Sequence, residues 1–566
     1  MNRICSVTFF LLLISLGATT AMAQDRGGRD DAMLPEIDPQ DIEIRSEFKA
    51  RFPGLRRQPI LGFEPASRAY KVDPDRMPYM EDRDNAVANL PISAMSLPEP
   101  PPFTSMQYSP EINAFARAGF GTYTSPEVQF WGVTRPSSKS YIGGDLNLSS
   151  SKGHLDNQNS SFRFLTANGE FATKLNERMK LTLDASIQNS FNHLYVLDDS
   201  PSNAKTPENK YGGFSLGGEL SHLENDVAGW NIKANARYYQ AEMMAGDLSG
   251  KSDEGVYDAS FAKRWAGAHP YETFSAELGG RLGDYSNPTS SGQWKTGYAG
   301  AEYQRLFNYE THLTANARVY YGADEFDSKV YFGPTVTIEQ PVFEGAVLTG
   351  EVGGRPYVQT AEQLHATNRF LNPNYTFRHS YKMYGSASLK LNYSEVGSLT
   401  GGIRYEDISN RPIFERNTVA GQSGEKLFYG IRYADVTRIR LHAGATHQVV
   451  PEKFWLNAQV YAQNFEIKDG GRVPFTEKLG LTSGFGLRLF DRATIEGWAD
   501  YTGKRKTADN QSLDAYVLLG AQFDLAITDN IGVYAKAVNL LDQEYQKWEG
   551  FTERPMQIYG GITLKL

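Results

Sequence analysis

Residues Tyr381–Tyr393 read YKMYGSASLKLNY. On an extended chain Tyr381, Met383, Gly385, Ala387, Leu389, Leu391 and Tyr393 share one face. Lys382, Tyr384, Ser386, Ser388, Lys390 and Asn392 share the other. A period of two predicts a strand with one apolar side. Its length decides the class: a globular strand needs about 5–6 residues, a strand crossing a bilayer about 9–11. The same long alternation recurs in LTANARVYY (Leu313–Tyr321) and LDAYVLLGAQFDL (Leu513–Leu525). It recurs again in QIYGGITLKL (Gln557–Leu566), with Ile558, Ile562, Leu564 and Leu566 on one side and Tyr559, Thr563 and Lys565 on the other.

The connections between these runs alternate as well. Tight turns are expected at 174–179, 223–227, 306–310, 392–397, 449–454, 489–493 and 526–532. Longer connections fall at 191–209, 244–254, 358–378, 418–425 and 541–553. Short turns on one rim and longer loops on the other predict a transmembrane antiparallel β-barrel, all-β, of about 22 strands (20–22 fit). A soluble β-sandwich or propeller is the competing reading, and strand length disfavours it. In hydrocarbon an unpaired sheet edge leaves backbone groups unsatisfied. The strand holding Ile558, Ile562, Leu564 and Leu566 is therefore expected to close the barrel against a first strand near Ala114.

The front of the chain differs. Arg3, the apolar Val7–Leu16 and Ala21-Met22-Ala23 give residues 1–23 the pattern of a cleaved signal peptide. Cys5, the single cysteine, lies within it, so disulfides and cysteine metal sites are not expected after export. Residues 24–107 carry 12 of the 27 prolines, too many for a continuous sheet. Phe52, Leu55, Arg56, Arg57 and Phe63 make this extended segment a candidate for contact with the lumen or with a periplasmic or outer-membrane protein partner. The barrel is expected over 108–566, surrounded by outer-membrane lipid. A net charge of −9 without a basic stripe argues against nucleic acid as a partner.

The C-terminal VYAKAVNLLDQEYQKWEGFTERPMQIYGGITLKL (Val533–Leu566) resembles the end of the TonB-dependent receptor barrels. Asn539-Leu540-Leu541-Asp542, Tyr545, Gly550-Phe551 and Arg554-Pro555 carry the resemblance. A fainter one lies at Asn372-Pro373. The family's Pro-Gly-Arg is replaced by Pro555-Met556-Gln557, and its terminal aromatic by Leu566. The resemblance implies a receptor or transport barrel. It covers the barrel alone, because the 84 residues from 24 to 107 show no plug-like pattern.

No catalytic, cofactor or metal site is expected. Among nine histidines none has ligand spacing, and His442 and His447 point to opposite faces of a strand. The acidic GDLSGKSDEGVYD (Gly246–Asp258) reads as a solvated outer loop. Trp131, Trp230, Trp455 and Trp498 are expected in interface girdles, and Tyr545 and Trp548 as an outer-loop ligand contact. Three functions fit these readings. One is a receptor-type barrel whose lumen is occupied by its own N-terminal segment or a partner. The second is a scaffold in an outer-membrane complex. The third is a passive porin-like channel for an unidentified solute.

Overall fold

The computed structural model describes residues 113–566, apart from 157, 196–206, 226, 246–248, 270, 308–309, 422–423 and 491. The signal-peptide pattern and Phe52, Leu55, Arg56, Arg57 and Phe63 lie outside the described residues. A single antiparallel sheet of 22 strands closes on itself. Its first strand, Ala114–Gly121, pairs with its last, Gln557–Lys565, through Phe115↔Lys565, Ala118↔Ile562 and Gly121↔Tyr559. Closure satisfies every backbone edge. Among the described residues no helix is long and apolar enough to cross a membrane.

Alternation sets the two faces. Leu216, Leu278, Phe332, Ile403 and Ile562 are exposed on the outer surface, where isolated aliphatic and aromatic groups have no protein cover. Such a belt is stable only against hydrocarbon. The alternate residues line the lumen and are charged or polar. Arg117 pairs with Asp524 at 3.0 Å. Tyr534 donates to Glu127 at 2.6 Å, and Lys536 pairs with the same carboxylate. Ile562→Arg places a cation in the belt and should cost about 2–4 kcal/mol of stability. Thr563→Ser, on the lumen side, should stay within about 0.5 kcal/mol. Denaturant unfolding from lipid vesicles measures both.

Two girdle expectations are corrected. Trp455 and Trp498 turn inward and lie across glycines of the neighbouring strand. A Cβ at Gly486 would sit 1.8 Å from the Trp455 ring, and one at Gly520 2.1 Å from the Trp498 ring. The rings need that close approach to the backbone, so the glycines are part of the packing. A second correction concerns the acidic stretch 246–258. Its residues from Gly250 belong to the strand Gly250–Ala266, and Glu254 is buried, not solvated.

One hairpin outgrows the rest. Strands Gly397–Gly421 and Gly424–Val450 run far beyond the loop rim, with a register shift between Ile408 and Arg411. Its lower part carries Phe414, Tyr429 and Tyr433, which face the barrel mouth.

Candidate functional site

The mouth at the loop rim is filled by the barrel's own connections. The largest is the 358–379 loop, which turns inward. It begins with a short helix, α1 (Ala361–Thr367), capped by Thr360 through a reciprocal capping box with Gln363. Glu254 accepts the backbone N–H of Ala361 at 2.7 Å and the Trp294 indole N–H at 3.1 Å. A carboxylate at the first turn of a helix opposes the positive end of its dipole. Arg237 on the neighbouring strand Gly229–Met244 pairs with Glu362 at 2.7 Å.

Beyond α1 the loop crosses the opening. The Asn209 amide donates to the carbonyls of Arg369 and Leu371 at 3.0 and 3.1 Å. Leu371 forms a parallel bridge with Tyr429. Asn372 accepts the N–H of Asn374, an Asx turn that stiffens the Asn-Pro element. Asn287 then donates to the Tyr375 carbonyl at 2.6 Å, and Tyr433 to the Thr376 carbonyl at 2.8 Å. The loop ends at His379, buried against Asp324 (2.5 Å) and Tyr331 (2.9 Å). These anchors come from several sides of the barrel, so the loop is a lid held around its rim.

The 539–556 loop meets it in the centre. Asn539 and Asp542 adopt left-handed backbone, with φ of 56° and 50°, a conformation that Asn and Asp tolerate best among non-glycine residues. The Asn539 side chain bonds Gln543 in both directions, and Asp542 accepts the N–H of Met556 at 2.8 Å. The Asn-Leu-Leu-Asp element thus clasps the two ends of the loop. Arg505 holds its middle by donating to the carbonyls of Lys547 and Gln546 at 2.8 and 2.6 Å. Phe370 and Phe551 stack with centroids 3.7 Å apart. Tyr195, Tyr429, Phe475 and Trp548 pack around them.

Trp548 is therefore 7 % exposed and surrounded by Phe414, Tyr429 and Phe475. Tyr545 lies against Tyr516. Trp548 is buried inside the cap, whereas Tyr545 is only half-buried at its edge. Sequence reading finds the pair but not its packing; it takes Glu254 for part of a solvated loop and singles out neither Arg369 nor Glu553.

Arg369 and Glu553 form the polar centre of the cap, at 3.1 and 3.2 Å. Burial alone would push the Glu553 carboxyl up. The charges of Arg369, Lys547 and Arg554 outweigh it and hold that carboxyl below the usual carboxylate range. Arg369→Ala leaves the carboxylate buried without this partner. Because Arg369 keeps 26 % of its exposure, the expected cost is about 3 kcal/mol, the low end for breaking a buried pair. Hydrogen exchange across 361–377 should rise accordingly, with the strand amides unchanged.

Among the described residues no group of histidines, carboxylates or cysteines has the geometry to hold a metal ion. No protein-family model matches the chain, and no curated protein matches it in sequence. Solved structures do. The ferric-catecholate import receptor Fiu of E. coli K12 superposes with a TM-score of 0.61 at 11 % identity, over 81 % of this chain and 82 % of its own. The fold is that of the TonB-dependent receptor barrels. The FrpB iron transporter of Neisseria meningitidis matches with a TM-score of 0.63 at 9 % identity, over 81 % and 82 % of the two chains. The siderophore receptor PirA of Acinetobacter baumannii gives 0.61 at 9 %, over 80 % of each. These neighbours are described as receptors and transporters, not enzymes. Within that fold, the mouth of this barrel is densely closed by its own loops.

Proposed function

We propose that this chain is a receptor-type transport barrel of the outer membrane, with the loop rim facing outward. In this reading the cap of loops 358–379 and 539–556 is the outer gate. Residues 24–107, or a partner protein, occupy the lumen from the turn rim, where the first strand begins. The observation that carries the reading is the cap itself: an aromatic core latched by side chains from opposite sides of a barrel with a receptor fold. A passive pore has no use for such a seal. The described neighbours handle ferric catecholates, iron and copper, so the proposed cargo class is a metal complex. It would engage the outer loops and draw the cap apart, with Tyr545 and Trp548 as the contacts that opening uncovers.

A second reading, a scaffold without transport, draws on the same core, since apolar packing this complete also suits a permanent seal. Titration separates the two. Purified protein is mixed with ferric catecholate, with a ferric hydroxamate and with Cu(II), and indole fluorescence is followed. A saturable change that disappears in Trp548→Phe supports gating. Silence towards all three, with a stoichiometric protein co-purifying from the membrane, would replace transport with the scaffold.

A further inference from the structure

Near the turn rim the inner wall has a hollow. It lies where the strands Ser380–Ser394, Gly397–Gly421, Gly424–Val450, Phe454–Ile467 and Leu479–Leu489 run side by side. Their lipid faces are fixed by the exposed Leu389, Ile403, Leu441, Val460 and Leu481. Alternation then turns one cross-strand row to the lumen: Lys390, Thr400, Gly444, Gln459 and Thr482, each opposite the next. Gly444 has no side chain, so the row is empty at its centre. The next inward row toward the turns is Ser398, Thr446 and Asn457. Together the two rows line a recess of about 340 Å³, within the range of small-molecule sites. Its polar lining is hydroxyl and amide, groups that both donate and accept, and no carboxylate is among them.

Cations stand above it. Two inward rows nearer the loops, Arg404 and Arg440 face each other across the ladder. Like charges directly opposite are destabilising. Arg404 is balanced by Glu406 at 3.1 Å. Arg440 is not: its guanidinium lies 4.0 Å from the Tyr461 ring centroid, and it makes no ion pair among the described residues. The carboxylates nearby are engaged. Glu406 also holds Lys382 and Arg438, and Glu477 accepts from Tyr461 at 2.6 Å and from Gln463 at 3.1 Å. A guanidinium stacked on a ring keeps its planar edge of donors for another partner. Tyr461 stands in the row between, opposite His442, so the stack brings that edge toward the recess. Lys390, at the end of the hollow row, is exposed to the lumen and likewise makes no ion pair among the described residues.

We infer that this wall binds a small polyhydroxylated carboxylate, a sugar acid, with its body in the recess and its carboxylate between Arg440 and Lys390. The groups select the class. Two cations without a carboxylate partner call for an anion, and the guanidinium edge suits the two oxygens of a carboxylate. Hydroxyls and amides hydrogen-bond a polyol and give an apolar body nothing to pack on. Size selects further. Rows of one face are about 7 Å apart, so the Arg440 row stands about 14 Å from the recess row along the strand. A bare ion cannot use both, whereas a sugar acid of one or two rings can. The recess adjoins the turns 392–397 and 449–454, so the ligand enters from the turn rim and the cap stays shut. The site does not depend on the metal-complex cargo proposed above.

Calorimetric titration of the purified full-length protein tests the assignment. The probe is lactobionate, a disaccharide acid. Lactitol has a similar body without the charge, and acetate has the charge without the body. Lactobionate should bind saturably, and the other two at least about tenfold more weakly. Arg440→Gln should weaken lactobionate by about tenfold or more, as expected for a charge-assisted hydrogen bond. Arg440→Lys should lose less, and Thr400→Val should weaken the same probe from the recess side. Lys233→Gln removes a lumenal cation elsewhere on the wall, paired with Glu219 at 3.2 Å, and should change nothing. Circular dichroism checks that each variant keeps its strands. If Arg440→Gln does not fold, Arg440→Lys and Thr400→Val decide: unchanged affinity in both overturns the site. Absence of saturable heat with lactobionate overturns it, and so does equal binding of lactitol. Equal losses in Arg440→Gln and Lys233→Gln also overturn it, because net charge alone would then account for the binding.

Discussion

Removing residues 24–107 alone should leave the protein electrically silent in a planar bilayer, and removing the cap as well should open it. The proposed fold has two closures in series. At the loop rim, residues 361–377 span the mouth, tied to Glu254, Arg237, Asn209 and Tyr433 on surrounding strands and to Asn287 in a neighbouring connection. Deleting the N-terminal segment touches none of these contacts. Replacing 361–377 by a short Gly-Ser turn strips the other large loop of its partners: Phe551 loses Phe370, and Glu553 loses Arg369. The strands keep their hydrogen bonds, because the ladders do not run through the loop. The cap replacement alone should give brief, partial openings, with the lumen still occupied. Both changes together should give sustained current, since an unfilled barrel of this strand number leaves a wide aqueous lumen. Full current from the cap replacement alone would place the N-terminal segment outside the lumen. No current from the double variant would mean that other loops suffice to seal the mouth.

Acid should loosen the same cap. His365 on α1 is 1 % exposed and stacks on Tyr211 with centroids 5.3 Å apart, with Tyr239 and Tyr375 beside it. Its Nδ1–H donates to the Ala361 carbonyl at 3.0 Å. Burial lowers its pKa from 6.5 to about 4. The sign follows from linkage: an opened cap binds the proton more readily than a closed one, so closure weakens as pH falls. The contribution is complete above pH 6.5 and is lost towards pH 4, at about 1.4 kcal/mol per unit and about 3 kcal/mol in total. Glu553 acts in the same direction at lower pH: its contribution begins to fall as pH drops through the ordinary carboxylate range and is lost through its own depressed pKa. Limited proteolysis within 361–377, followed from pH 7.5 to 4.5, should accelerate steeply below pH 6.5. His365→Phe keeps a ring on Tyr211 and should abolish that step. Cleavage that is flat with pH in the parent protein would remove His365 from the account.

The barrel was legible in the sequence because its determinants are local. Period-two alternation in Tyr381–Tyr393 or Leu313–Tyr321 is imposed by two solvents, lipid and water, and each strand reports it independently. Loop asymmetry was legible for the same reason. The cap was not. Arg369 and Glu553 stand 184 positions apart, and neither carries a local pattern that announces the other. Glu254 was misread as part of a solvated acidic stretch. Its burial depends on Ala361, 107 residues further on, and on a tryptophan of another strand. Trp455 and Trp498 were placed in girdles on residue type alone. Their inward turn depends on which residue stands opposite across the ladder, a glycine in each case.

The seam between Ala114–Gly121 and Gln557–Lys565 has a temporal meaning. The first strand made must wait for the last, more than four hundred residues later, before either has its second neighbour. Until then the nascent sheet carries two raw borders, each able to add a stranger's strand. Closure is one event, and it waits on the last of these strands.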